Sequence, residues 1–347
     1  MNNCDRRAFL KRSAMLTGAA AASCLLPPSA FARDDEGPHP FFRNKKGLEV
    51  IAHRGGKGQW PEETVYALLR AAEAGADILE IDVRSTADGV LVLMHDENVK
   101  DTTDGSGSTK QYWFRGEGAP PGARMIRDLD AGHDWPYHGR ERPFRGLGLK
   151  VPTLEEVFET FKSSDVRLII EIKERDASTV RSFCETVGRF PVMKDRVLVA
   201  SFYDTVLDAV RADPRCAGMA TSAATCESIE LSGQISTSRF LKLLGKAAPC
   251  ESIKKVVGRL SGTATPPPPG PPAPRIHAIQ VPGDVVTREF VERAHARPFN
   301  LQVHAWTIND PAEMRRLKEV GADGIITDYP GPLLEVLGRT RKPGPGL

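Results

Sequence analysis

The chain has 347 residues, of which 40% are hydrophobic, and its formal net charge is +2. This length can fill one large core, such as a single barrel of about 250 residues, but it leaves the choice between one and two domains open. No basic stripe runs along the chain, so the near-neutral charge argues against nucleic acid or an anionic membrane surface as a partner. Small molecules are the expected partners.

Residues 1–32 have the features of a twin-arginine export signal. Arg6 and Arg7 precede a mildly apolar run, and residues 30–32, Ala-Phe-Ala, form a small-residue cleavage site. The run is too short and too rich in small residues for a stable membrane span. We therefore expect handling by the twin-arginine export machinery and a periplasmic or secreted location. Lipidation at Cys24 is a competing interpretation, disfavoured because Ala stands where lipoprotein signals favour Leu.

Cleavage would leave a mature chain of residues 33–347, expected to be a single barrel domain. The signal carries four basic side chains against one acidic side chain, so its removal takes away a charge of +3 and leaves the mature chain at −1. Four cysteines remain without metal-ligand spacing, and an oxidising compartment would permit disulfides among them, with buried free thiols as the alternative. They are Cys184, Cys216, Cys226 and Cys250.

From residue 48 onward, short runs rich in Val, Ile and Leu alternate with amphipathic stretches, which is typical of strand–helix units around a parallel sheet. Eight strands in series predict an α/β fold of the (β/α)8 TIM-barrel type with a core of about residues 48–335. An open doubly wound sheet is the alternative. The predicted strands are 48–53, 77–83, 167–173, 197–201, 217–221, 276–281, 301–306 and 323–327.

Three of the intervening helices have clear ends. Residues 61–75 place apolar side chains at helical spacing before a terminal Gly. Residues 153–156, Thr-Leu-Glu-Glu, match a capping box at a helix start. Residues 311–320 form a third helix that Gly321 ends.

A β-hairpin arm is predicted after strand 2, because the apolar run from Val90 follows too closely for a crossover helix. Asp88-Gly89 is a two-residue turn signal that would pair Ala87 with Val90. In that register His95 lies directly across from Asp82, on the face that Glu80 shares.

Two stretches are predicted insertions into the minimal barrel. Residues 101–150 lack sustained periodicity and follow a strand end, so they are a candidate lid over the active face. Residues 222–275 contain a predicted helix at about 237–259 and a proline run at 266–274. The proline run is interpreted as an exposed linker, with a partner-docking role as the alternative.

Chemically reactive side chains stand at the predicted carboxyl ends of the first three barrel strands and of the hairpin. In a barrel these ends converge on one face, where catalytic groups assemble. The side chains are His53, Arg54, Glu80, Asp82, His95, Glu171 and Lys173.

Glu80, Asp82 and Glu171 provide oxygen ligands without sulfur, which suits a hard cation such as Ca²⁺ or Mg²⁺ rather than zinc. Three adjacent carboxylates repel one another, and a divalent cation would remove that cost. A shared proton, or pairing with Arg54 and Lys173, is the alternative explanation.

A cation beside Arg54 and Lys173 would form an anion site suited to phosphate. Two histidines, His53 and His95, can then serve as the acid/base pair, since imidazole titrates near neutral pH. One would deprotonate the nucleophile, and the other would protonate the leaving oxygen. The cation would polarise a phosphoryl oxygen.

At these residues the sequence resembles the glycerophosphodiester phosphodiesterase family. The resemblance spans nearly all of residues 48–335, and its ordered set of motifs is highly specific when taken together. The matching segments are His53-Arg54-Gly55, residues 61–64 (Pro-Glu-Glu-Thr), 75–83, Asp88-Gly89, His95-Asp96, 102–105, 151–156, Glu171 with Lys173, Ser201-Phe202, 306–309 (Trp-Thr-Ile-Asn) and 327–330 (Thr-Asp-Tyr-Pro).

The resemblance implies a barrel, one divalent cation assigned as Ca²⁺ or Mg²⁺, and hydrolysis of glycerophosphodiesters to an alcohol and glycerol 3-phosphate. It implies His53 and His95 as catalytic residues, Glu80, Asp82 and Glu171 as metal ligands, and Arg54, Lys173, Glu62 and Trp306 as substrate-binding residues. Glu62 would support Arg54 or the metal shell. Trp306 would form the glycerol side of the pocket, with ordinary barrel packing as the alternative.

Two positions depart from the family pattern. Glu63 stands where Asn is usual, which adds a carboxylate near the site, and Asp101 stands where Arg is usual. Two alternative functions remain at this point. One is a phospholipase or sphingomyelinase-D-like phosphodiesterase that acts on intact lipids. The other is a non-catalytic phosphodiester-binding protein, against which the two histidines argue.

Overall fold

The computed structural model describes residues 39–43, 45, 47–136, 141–223, 276–296 and 300–339. Several predicted features lie outside these residues. They are the export signal at 1–32, the helix at about 237–259, the proline run at 266–274, Cys226 and Cys250.

Strands and helices alternate along most of the described chain, as the hydrophobic pattern predicts. The strands are β1 Glu49–Ala52, β2 Ile78–Ser85, β3 Leu91–Leu93, β4 Tyr112–Trp113, β5 Arg124–Met125, β6 Arg167–Ile172, β7 Val197–Ala200, β8 Ala220–Thr221, β9 Ala278–Pro282, β10 Gln302–Trp306 and β11 Gly324–Thr327. The helices are α1 Val65–Ala74, α2 Leu154–Phe161, α3 Ala177–Arg189, α4 Asp204–Ala212, α5 Arg288–His295, α6 Pro311–Val320 and α7 Pro330–Val336.

Eight parallel strands form the predicted barrel, in the order β8-β7-β6-β2-β1-β11-β10-β9. A parallel bridge between Ser222 and Ala278 joins the two ends of this series. Beside it, the His277 N–H donates to the Thr221 carbonyl at 2.9 Å and the Ala223 N–H to the Ala278 carbonyl at 2.8 Å. The (β/α)8 prediction is confirmed. In the described chain, neighbouring barrel strands share the fewest register pairs at this junction.

Strand alternation divides the core into two layers. On β1, Val50 packs outward against the helices, whereas Ile51 points into the barrel with Ile78 of the next strand. Phe41 joins the inner layer, and its carbonyl accepts a hydrogen bond from Arg167 at the start of β6, so it covers the amino end. Full burial of each such side chain contributes about 1.5–3 kcal/mol relative to exposure.

Local capping sets the helix ends, and α1 begins at Val65, four residues after the predicted start at residue 61. The Thr64 hydroxyl accepts from the Ala67 N–H at the start of α1, and Gly75 ends that helix with φ +104°. At α2, Thr153 and Glu156 form the predicted reciprocal capping box. These ends fix how far the flanking loops extend over the barrel.

The hairpin arm exists, but its turn is longer than predicted. Thr86 and Val90 pair across a three-residue loop: the Thr86 N–H donates to the Val90 carbonyl, and the Val90 N–H donates to the Thr86 hydroxyl. Gly89 takes the left-handed conformation, with φ +74°. Three-residue hairpin loops with Gly at this position are a common alternative to the two-residue turn.

The extra loop residue shifts the ladder by one position, so the predicted register is wrong. Val83 pairs with Leu93, and the Asp82 carbonyl accepts from the Met94 N–H at 3.0 Å. His95 therefore does not lie directly across from Asp82. A one-residue slip reverses side-chain facing within a ladder, but β3 ends at Leu93, before His95.

The described part of the first insertion contains short 3₁₀ turns and the two-stranded β4–β5 pair. Cys184 and Cys216 are buried free thiols. Among the residues placed in the structure, we find no helix with the length and apolar character needed to cross a membrane.

Candidate active site

The three predicted metal ligands meet at the carboxyl end of the barrel. Asp82 pairs in register with Glu171 on the neighbouring strand, and Glu80 precedes Asp82 by two residues on the same face. One carboxylate oxygen from each residue lies within 4.8 Å of the others. Glu80 and Asp82 are 5% and 1% exposed, so water does little to screen their charges.

Burial and mutual repulsion shift the pKa values of these acids. Burial is the main reason that the pKa of Glu80 lies well above its usual range, and repulsion from Asp82 adds to it. The same causes raise the pKa of Glu171 to about 7. Burial also acts to raise the pKa of Asp82, but Lys173 and Arg54 outweigh it, so that pKa lies below its usual value.

The donor set suits a divalent cation. Both carboxylate oxygens of Asp82 are buried and accept no hydrogen bond from any residue that the structure describes. Their polar neighbours are Arg54 Nε at 3.3 Å and Lys173 Nζ at 3.4 Å, which form ion pairs with them. Buried carboxylate oxygens without hydrogen bonds, clustered with two more carboxylates, match the oxygen ligands that Ca²⁺ and Mg²⁺ take.

Arg54 and Lys173 form the cationic side of the site. The Arg54 guanidinium donates to Glu62 at 3.0 Å, and Lys173 Nζ donates to Glu171 at 2.7 Å. Arg54 has a left-handed backbone, with φ +51°, and its N–H donates to the Glu80 carboxylate at 2.9 Å. This uncommon conformation aims the backbone and the side chain of Arg54 at the acidic cluster together.

Glu63, one of the two departures from the family pattern, is buried next to Asp82. Its backbone is left-handed, with φ +58°, and its carboxylate accepts from the Asp82 N–H at 2.9 Å. Burial, then repulsion from Asp82 and Glu80, raises its pKa well above the usual range. A raised pKa shifts the balance at Glu63 towards the neutral carboxyl, which lessens its repulsion with the other acids.

His53 is oriented by residues from the far end of the chain. Its Nδ1 lies 2.6 Å from Asp328, whose other carboxylate oxygen accepts from the Asn309 amide at 2.7 Å. The Asn309 carbonyl oxygen accepts in turn from the Asp328 N–H at 2.9 Å. The motif segments contain both residues, but a function for them could not be deduced before barrel closure placed them beside His53.

His95 reaches the same face beyond the end of the hairpin. Its Nδ1 lies 3.0 Å from Asp96, and its carbonyl accepts from Arg84 Nε at 2.9 Å. Burial is the main cause that lowers its pKa to about 4, and attraction to Asp82 only partly offsets it. His95 therefore interacts with the acidic cluster although the register that predicted this was wrong.

An aromatic wall, formed by Phe202 and Trp306, borders the site. The two rings meet edge to face, with centroids 6.4 Å apart and planes at 87°. Lys173 Nζ lies 5.5 Å from the centre of the Phe202 ring. Phe202 thus stands between Trp306 and Lys173, and Trp306 also packs against the inner layer of the barrel core.

Comparisons with known proteins agree with this architecture. A sequence model of the glycerophosphoryl diester phosphodiesterase family matches residues 53–332. A glycerophosphodiester phosphodiesterase of Bacillus subtilis is 28% identical over 288 residues, which cover 81% of this chain and 83% of that protein.

Solved structures share the fold. A glycerophosphodiester phosphodiesterase from Agrobacterium tumefaciens has a TM-score of 0.56 at 21% identity, over 83% of this chain and 99% of that one. An Oleispira antarctica phosphodiesterase in complex with the product sn-glycerol-3-phosphate has a TM-score of 0.58 at 22% identity, over 84% and 97%. The family match extends from His53 into α7, so the chain belongs to the glycerophosphoryl diester phosphodiesterase family and is a phosphoric diester hydrolase.

Proposed function

We propose that the protein hydrolyses glycerophosphodiesters to an alcohol and glycerol 3-phosphate, with a divalent cation and two histidines. One observation carries the proposal. The Asp82 carboxylate oxygens, which accept no hydrogen bond from the described residues, lie between Arg54 and Lys173 on a face that both histidines share. The relative that was solved with sn-glycerol-3-phosphate supports the product.

Glu80, Asp82 and Glu171 would hold the cation, Ca²⁺ or Mg²⁺. When bound, the cation supplies Lewis-acid polarisation of a phosphoryl oxygen and offsets the charge of the three acids. Arg54 and Lys173 then bind the remaining phosphoryl oxygens, because cation binding relieves part of their attraction to Asp82. Glu62 keeps the Arg54 guanidinium in place by its 3.0 Å contact.

Each histidine presents one nitrogen to the substrate. His53 Nδ1 is engaged by Asp328 and His95 Nδ1 by Asp96, which leaves Nε2 of each ring for proton transfer. One Nε2 accepts a proton from the attacking water, and the other donates a proton to the departing alcohol oxygen. The water oxygen forms the new bond to phosphorus as the bond to the alcohol oxygen breaks.

The pocket around the phosphate has two unlike sides. The aromatic wall would pack against the carbon face of the glycerol group, and the His53 side would receive the alcohol substituent.

We also propose that the chain is exported through residues 1–32. Replacing Arg6 and Arg7 with Lys is expected to retain the precursor in the cytoplasm, as cell fractionation would show.

The decisive experiment follows glycerol 3-phosphate release from glycerophosphocholine and glycerophosphoethanolamine by the purified mature chain. Activity should depend on Ca²⁺ or Mg²⁺, and His53→Ala should abolish it while leaving the folded state intact by circular dichroism. Full activity in excess chelator would disprove the metal-dependent mechanism. Turnover of intact phospholipid or sphingomyelin alone would favour the lipid-directed alternative, and binding without turnover would favour the non-catalytic one.

A further inference from the structure

One lysine near the site, Lys57, has no role in the proposed chemistry. Lys57 is half-buried in the loop between β1 and α1, four residues after His53. In the described part of the chain its ammonium makes no hydrogen bond or ion pair, although its charge helps to lower the pKa of Asp328 against the effect of burial. Arg54 and Lys173, by contrast, are bound to carboxylates.

The backbone of Lys57 is held from two directions. Its N–H donates to the His53 carbonyl at 3.2 Å, and its carbonyl accepts from the Trp135 indole N–H at 2.9 Å. The next N–H, that of Gly58, donates to the Asp328 carbonyl at 3.0 Å. Both backbone groups of Lys57 are therefore used, and its side chain extends from a fixed point beside the His53–Asp328 pair.

Trp135 belongs to the predicted lid, residues 101–150, and is itself braced. Its ring packs edge to face on Phe144 at 5.2 Å, and Phe144 packs on Tyr66 of α1 at 5.3 Å. The insertion thus contacts the loop that carries Lys57 through the Trp135 hydrogen bond, and it contacts α1 through the aromatic rings. This bracing holds the Lys57 backbone, the point from which the side chain extends.

From this placement we propose that Lys57 selects the head group of the substrate, favouring an alcohol that carries a carboxylate. The inference rests on the proposed function. If the glycerol lies against the aromatic wall, the alcohol substituent extends to the opposite, His53 side. There it meets the Lys57 ammonium, which has no hydrogen-bonded partner among the residues that the structure describes. This charge attracts a carboxylate and repels an ammonium.

The test compares two diesters that differ by one carboxylate, glycerophosphoserine and glycerophosphoethanolamine, at low ionic strength. For two charges a few ångströms apart near a protein surface, wild type should favour the serine diester by about tenfold in kcat/KM. Lys57→Gln should remove this preference, and Lys57→Glu should reverse it. Added salt should reduce the wild-type ratio, since the groups are partly solvated.

Lys318→Glu is the matched control, because it makes the same change in net charge on the exposed outer surface of α6. Its ratio should equal that of wild type. Trp135→Phe is a second probe, which keeps an aromatic ring but removes the N–H that holds the Lys57 carbonyl. Trp135→Phe should lower the ratio of kcat/KM for the serine diester to that for the ethanolamine diester. The rate on the ethanolamine diester should change less than the rate on the serine diester.

A wild-type ratio near one, or an unchanged ratio in both Lys57 variants, would overturn the inference while hydrolysis itself continued. Should the Lys57 variants fail to fold, an unchanged ratio in Trp135→Phe would count against it. Failure of wild type to hydrolyse either diester would instead refute the proposed function.

Discussion

Replacing Asp328 with Asn tests how His53 is oriented. Asp328 accepts at 2.6 Å from His53 Nδ1, and both side chains are 14% exposed, so the contact is largely shielded from water. Asn keeps the shape but removes the charge. If its amide N–H₂ turns to Nδ1, the ring must carry its proton on Nε2, the atom proposed to react.

The magnitude follows from the lost charged hydrogen bond. Such a bond is worth about 1.5–3 kcal/mol, which corresponds to a fall in kcat of about 10- to 150-fold. KM should change little, because Asp328 does not contact the proposed phosphate ligands. Initial rates of glycerol 3-phosphate release at saturating cation would measure both constants.

Asp310→Asn provides the control on the same barrel face, since Asp310 caps α6 through the Ala312 N–H and does not contact His53. It should leave kcat unchanged. Asp328 does not orient His53 in this way if Asp328→Asn keeps kcat within about twofold of wild type, or if Asp310→Asn lowers kcat as much.

Further predictions concern stability. Because burial raises the pKa of Glu171 from 4.5 to about 7, the stability that this group contributes to the cation-free native state should be lost between pH 5 and 7. The melting temperature of Glu171→Gln should therefore rise relative to that of wild type across this range. Ca²⁺ or Mg²⁺ at about 100 times Kd should add about 2.7 kcal/mol to wild type. Glu63→Gln removes another carboxyl whose pKa is raised, so it should raise the melting temperature in chelator at pH 8 but not at pH 5. An equal change at both pH values would contradict a raised pKa for Glu63. Thr153→Ala breaks the α2 capping box and should cost about 1 kcal/mol, read by denaturant unfolding, without loss of specific activity.

Much of the fold could be predicted because burial imposes it on the sequence. A parallel strand covered on both sides, such as β2 with Ile78 through Val83 buried, needs a continuous apolar run. Within that run Glu80 and Asp82 are costly, so their presence indicates a site. The carboxylate cluster was predictable for this reason.

Two features could not be predicted from local pattern. The hairpin register depended on whether Thr86 would use its hydroxyl to bond Val90, a choice that Asp88-Gly89 does not reveal. The roles of Asp328 and Asn309 depended on β1 and β11 becoming neighbours across 275 residues of chain. Barrel closure supplies that proximity, and no sequence spacing encodes it.

Strand pairing in the ring is weakest at the junction of β8 and β9 and extensive between β2 and β6. The Ser222–Ala278 bridge joins the strands that flank the second insertion, whereas β2 and β6, which carry all three acids, share six register pairs. Local opening, as hydrogen exchange would detect it, should therefore begin at the junction and leave the acid-bearing strands protected. Insertions or deletions between β8 and β9 fall where the ring has the fewest strand pairs. That part of the chain is therefore free to diverge in sequence without disturbing the strands that carry the three acids.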